Sequence, residues 1–84
     1  MHITVIRTGG QGGQPRRAAL DTTDTELTEL ARTALAEGHE TPPVGGPEGF
    51  SYEIIADDTT TYCADPRLTP AQSALITRVL HAAE

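Results

Sequence analysis

Phe50-Ser51-Tyr52-Glu53-Ile54-Ile55-Ala56-Asp57-Asp58-Thr59-Thr60-Thr61-Tyr62-Cys63-Ala64 is the stretch from which the rest of the chain can be read. Phe50, Tyr52, Ile54 and Ala56 alternate with Ser51, Glu53, Ile55 and Asp57, a period of two that predicts a strand over 50–57 with Phe50, Tyr52 and Ile54 on the core face. Asp57-Asp58-Thr59 has the short acidic side chains of a turn, which bond nearby backbone. Residues 60–64 then return as an antiparallel strand. The pattern leaves its register open, because a slip of one residue exchanges Tyr62 and Cys63 between core and solvent.

Working outward, Leu68-Thr69-Pro70-Ala71-Gln72 starts a helix: Thr69 as N-cap, Pro70 at the first helical position, and Gln72 three residues after the cap. The helix is expected over 70–82, with Leu75, Ile76, Val79 and Leu80 as its apolar stripe. Upstream, residues 38–49 hold three prolines and four glycines and fit neither periodicity, so they form a loop that is long for so short a chain. Before it, Leu27, Leu30, Ala31, Ala34 and Leu35 recur at helical spacing over 24–37. Thr23 and Glu26 are placed for a capping box, and Gly38 for a left-handed stop. The chain opens with Ile3 and Val5 alternating against Thr4 and Ile6, a strand over 2–7, followed after a glycine run by a second strand over 16–21. The order is ββαββα. One apolar stripe per helix and alternating strands predict an α+β domain, a four-stranded antiparallel sheet with both helices packed on one face.

The 84 residues make one domain with one thin core, drawn from Leu, Ile, Val and Ala with Phe50, Tyr52 and Tyr62 as its only rings. Six Arg, no Lys and twelve acidic residues give a formal charge of −6, which repels phosphate backbones and anionic membranes. Neither nucleic acid nor a membrane is expected as a partner, and no span has the roughly 20 apolar residues of a transmembrane helix. The start Met1-His2-Ile3-Thr4-Val5 has no signal-peptide pattern. Cys63 is the single cysteine, so no internal disulfide can form. These features suit a cytoplasmic protein, with export by a signal-independent route left open.

Thr8-Gly9-Gly10-Gln11-Gly12-Gly13-Gln14-Pro15 places four glycines in five positions. Glycine loses the most backbone entropy on folding and packs nothing, so such a run is present for its backbone. A phosphate-binding loop would need Lys and Ser or Thr after the last glycine and a helix behind it, and Gln14-Pro15-Arg16 supplies neither. Two readings remain, a hairpin loop without a ligand and a backbone contact with a protein partner. Arg7, Arg16 and Arg17 flank the run, either as solvated strand ends or as a rim offering bidentate bonds to a partner's carboxylates.

Other candidates for chemistry are weaker. His2, His39, His81 and Cys63 are not spaced as a zinc site, and no cofactor is expected. Cys63 has no neighbouring base in sequence and reads as a buried structural thiol. An acid pair at Asp57-Asp58 would need a pocket, for which so thin a domain leaves little room. No nucleophile stands with a base, so an enzyme is not expected.

Arg7-Thr8-Gly9-Gly10, the following Arg17-Ala18-Ala19-Leu20-Asp21-Thr22, then Phe50-Ser51-Tyr52-Glu53-Ile54 and Leu68-Thr69-Pro70 resemble the emfourin (protealysin inhibitor) family over nearly the whole chain. That resemblance implies an inhibitor of thermolysin-like zinc metalloproteases, in which the metal belongs to the partner. It places the partner-binding surface at Arg7, Thr8, Gly9, Gly10, Gln11, Gly12, Gly13 and Arg17, joined by the proline-rich loop around Pro42 to Pro47 if that lies at the same end of the sheet. The family usually carries a large apolar residue and then a small one after the two glycines; here Gln11 and Gly12 stand there. A non-inhibitory interaction module or a homo-oligomer is the alternative, motivated by the unpaired backbone at sheet edges.

Overall fold

The computed structural model describes residues 1–9, 14–42 and 49–82. Their elements are β1 (His2–Gly9), β2 (Arg16–Asp21), α1 (Thr25–Ala36), β3 (Phe50–Ala56), β4 (Thr59–Ala64) and α2 (Pro70–Ala82). All four strands form one antiparallel sheet in the order β2-β1-β3-β4, the α+β architecture expected from the alternation. β1 runs two residues beyond the expected 2–7, because Thr8 and Gly9 find partners in Ser51 and Phe50. β3 stops at Ala56, and the turn begins at Asp57 with φ 52°. That left-handed backbone suits a short polar residue. The carboxylate of Asp57 bonds a distant strand and not its own turn: Oδ1 accepts from the His2 amide at 3.0 Å.

Side-chain alternation decides where the core lies. Ile3 and Val5 of β1, Ala18 of β2, Tyr52, Ile54 and Ala56 of β3, and Cys63 of β4 share one face and are buried. Leu27, Ala31 and Ala34 of α1 and Leu75, Ile76, Val79 and Leu80 of α2 pack into the same core, so both helices cover that face. The open register of β4 resolves here: Cys63 opposes Tyr52 on the helix side, and Tyr62 opposes Glu53 on the other. Each fully buried Ile, Leu or Val contributes about 1.5–3 kcal/mol. That is comparable with the roughly 1–2 kcal/mol of backbone entropy lost per ordered residue, so a core this thin needs good helix ends.

α2 starts as its sequence predicts. The Gln72 amide donates to Thr69 Oγ1 at 3.2 Å, and the Thr69 amide donates to Gln72 Oε1 at 3.0 Å, a reciprocal capping box. Gln72, only 1% exposed, also donates from Nε2 to the Ala34 carbonyl at 3.3 Å, joining the start of α2 to the end of α1. α1 departs from expectation, since its N-cap is Asp24 and not Thr23. Asp24 Oδ1 accepts from the Glu26 amide at 3.0 Å, and the Asp24 amide is itself held by Thr22 Oγ1. A charged oxygen one residue nearer the helix satisfies an orphan amide and meets the positive end of the helix dipole.

Gly38 is not the left-handed stop that was expected. Glu37 ends α1 in ordinary right-handed geometry, φ −93° and ψ −5°. Gly38 matters for space: a Cβ there would meet Thr61 Oγ1 and stand 2.9 Å from Thr61 Cβ. This close crossing lets His39 exchange two backbone hydrogen bonds of 2.9 Å with Tyr62. The outer edge of β4 is thereby partly covered.

Two substitutions test these contacts. Gly38→Ala should lower stability by about 1–3 kcal/mol through overpacking against Thr61, read as a fall in the urea midpoint. Gln72→Ala should cost about 2–3 kcal/mol, because it leaves the Thr69 amide and the Ala34 carbonyl without their partner.

Candidate functional site

The pairing of β1 with β3 brings two segments to one end of the sheet. Gly9 is the last rung of β1 and lies opposite Phe50, the first residue of β3, so the glycine loop leaves the sheet where the proline-rich loop enters it. Gly10, Gln11, Gly12 and Gly13 lie outside the described residues, as do Pro43 to Glu48 of the proline-rich loop. Gly9 itself has φ +99°, and a Cβ there would stand 3.0 Å from the Gly49 carbonyl oxygen. Both the backbone angle and the space require glycine at this position.

Next to this rung Arg7 is held on an aromatic ring. Its guanidinium carbon is 4.4 Å from the centroid of Phe50, a cation–π contact, and Phe50 lies 6.4 Å from Tyr52. Asp65, just past β4, closes the end from the other side. Its amide donates to the Phe50 carbonyl at 2.9 Å, and its Oδ2 accepts from the Phe50 amide at 3.3 Å. Phe50 and Asp65 were not among the expected site residues. The signal for Phe50 was present as an aromatic at the first strand position after a loop, whereas Asp65 depends on a tertiary pairing.

The three arginines do not form one rim. Arg7 and Arg16 are register partners on the helix face, and Arg16 Nη2 donates to the Leu80 carbonyl at 3.0 Å, near the end of α2 where a cation suits the dipole. Arg17 faces the opposite way, exposed beside Ile6. Arg7, Thr8 and Gly9 therefore share this end of the sheet with Phe50 and Asp65, but only Arg7 lies with Phe50 on the helix side; Thr8 and Arg17 lie on the opposite face.

A cavity of about 500 Å³ lies beside this end, with Glu37, His39, Cys63, Asp65 and Gln72 among its walls. Asp57 and Asp58, the acid pair that would need a pocket, are not among its walls. Cys63 is 4% exposed, and burial, with a smaller contribution from the Asp65 charge, pushes its thiol up from 9.0 to about 11. It is therefore protonated at neutral pH, as a structural thiol is. Tyr52 is also raised, by burial first and then by Asp65, with Arg7 opposing. Among the described residues no three His, Cys, Asp or Glu side chains are grouped to hold a metal, and no helix is long and apolar enough to cross a membrane.

These shifts set a pH dependence. A thiol whose pKa is raised by folding contributes stability that is fully present below pH 9.0 and lost as pH rises towards about 11. Urea midpoints should fall across that window, and the fall should shrink in Cys63→Ala, with a remainder from Tyr52. Compared with protein-family models, with curated proteins and with solved structures, the chain finds no match.

Proposed function

We propose that this chain is a proteinaceous inhibitor of a thermolysin-like zinc metalloprotease, which it blocks by lodging the glycine loop in the active-site cleft. The observation that carries the reading is the base of that loop. Gly9, in left-handed geometry opposite Phe50, turns the chain out of a four-stranded sheet at an end where Arg7 and Asp65 both grip Phe50. The residue pattern around it, Arg7-Thr8-Gly9-Gly10 and Arg17 to Thr22, resembles the emfourin family, which adds the class of enzyme.

The physical requirements of such an inhibitor are modest. An extended, side-chain-poor segment can lie along the edge strand of a protease cleft and exchange backbone hydrogen bonds with it, as a substrate does. Gly10, Gly12 and Gly13 raise the entropy lost on ordering the loop, and a loop anchored at a sheet end loses less than a free one. A standard interface of about 800 Å² per partner is roughly a seventh of the 5329 Å² surface, so the neighbours of the loop take part. Arg7, held over Phe50, keeps guanidinium donors for a carboxylate on the partner. The zinc ion is the protease's own, and this chain supplies backbone, bulk and charge.

An assay with a thermolysin-like protease tests this directly. A slight molar excess of the chain should abolish peptide cleavage. Gly10→Trp, or removal of Gly10 to Gly13, should weaken inhibition by about tenfold or more, the loss of a central anchor, with circular dichroism unchanged. Inhibition by the deletion variant equal to that of the parent would show that the loop is not the binding element.

A further inference from the structure

The sheet has a second face that no described helix or strand covers. Across its middle run Arg17, Ile6, Glu53 and Tyr62, one residue from each of the four strands in register. Ala19, Thr4, Ile55 and Thr60 form the next row, and Thr8, Ser51 and Ala64 the row on the loop side. Ile6, Ile55 and Tyr62 are partly exposed, Thr4 is buried among its neighbours, and the residues around them are mostly small, so another flat surface could approach closely. Arg17 and Glu53 flank Ile6 on opposite sides, roughly 10 Å apart by strand spacing. Among the described residues neither has an ion-pair partner.

We propose that this face binds a second copy of the chain, sheet against sheet, about a two-fold axis parallel to the strands. Charge selects both the occupant and the axis. Stacked sheets keep their strands roughly aligned, which leaves two in-plane choices. A two-fold across the strands would set Arg17 on Arg17 and Glu53 on Glu53. A two-fold along the strands carries β2 onto the partner's β4 and β1 onto the partner's β3. Each Arg17 then lies over the partner's Tyr62 beside the partner's Glu53, and Ile6 and Ile55 fill the centre. One unpaired cation and one unpaired anion, each meeting its opposite twice, form a self-complementary pattern.

The face is small, roughly 400 Å² from strand spacing and rise. That is below the standard interface of about 800 Å² per partner, so association is weak. Because the axis runs along the strands, Gly9 and Gln14 of both copies emerge at the same end of the dimer. The face reaches the loop end only through its last row, Thr8, Ser51 and Ala64, and its association is read by mass rather than by protease inhibition, so the two proposals fail separately.

Sedimentation equilibrium of the full chain at low salt, from about 10 µM to about 1 mM, reads the dimer directly. Arg17→Glu, an exposed position, should weaken it about tenfold or more through like charges at the interface. The swap Arg17→Glu with Glu53→Arg should restore association to within about threefold of the parent. A parent that stays monomeric throughout would overturn the proposal and leave the face to another partner. So would a double swap that fails to recover.

Discussion

The seven-rung pairing of β1 with β3, from Ile3 opposite Ala56 to Gly9 opposite Phe50, is the constraint on which the other contacts depend. Each hairpin alone is two strands with an uncovered apolar side, marginal in water. Joined through β1, they make a sheet wide enough for two helices, and Ile3, Val5 and Ile54 become fully buried beneath them. The same register fixes what happens at the two ends. At one end Met1 and Thr22 exchange hydrogen bonds, and His2 and Asp57 do the same across to the β3–β4 turn. At the other, Gly9, Phe50 and Asp65 close the strands just where the glycine loop departs.

This division gives the small domain a held end and a presenting end. The held end uses backbone and short polar side chains and spans β2, β1 and β3. The presenting end concentrates the features with functional potential: an arginine stacked on a ring, a glycine that must be glycine, and a cavity with a protonated thiol in its wall. A sheet that fixes both ends of a glycine-rich loop lowers the entropy that a partner must overcome, which is the physical basis of the inhibitor reading. The open sheet face is a different kind of surface, small and flat, carrying one arginine and one glutamate about Ile6.

Much of this was legible from residue pattern, for reasons that are local. Alternation in Phe50 to Ala56 and the Thr69/Gln72 capping box involve neighbours in sequence, and both appear as expected. Arg16 and Arg17, adjacent in a strand, have to face opposite ways, so their separation was implicit in the same alternation. Other features were settled only by tertiary contact. Thr23 and Asp24 are both competent caps, and geometry favours the second. Gly38 looks like a helix stop, yet its role is to let the chain pass Thr61. The β4 register could not be chosen from two apolar neighbours, Tyr62 and Cys63. Of the expected contact residues, Arg7 lies with Phe50 on the helix side of the sheet, while Thr8 and Arg17 lie on the other face, because alternation, and not sequence distance, sets neighbours.

The central claim is that the loop end of the sheet is the surface through which this chain meets its partner. Titrating the isotopically labelled chain with a thermolysin-like metalloprotease and following each backbone amide by NMR tests it most directly. Perturbation should concentrate at Arg7 to Gln14, Phe50 and Asp65 to Arg67, leaving the amides of α1 and of the His2–Asp57 end unmoved. An unchanged spectrum, or changes confined to the helices or the far end, would contradict the account.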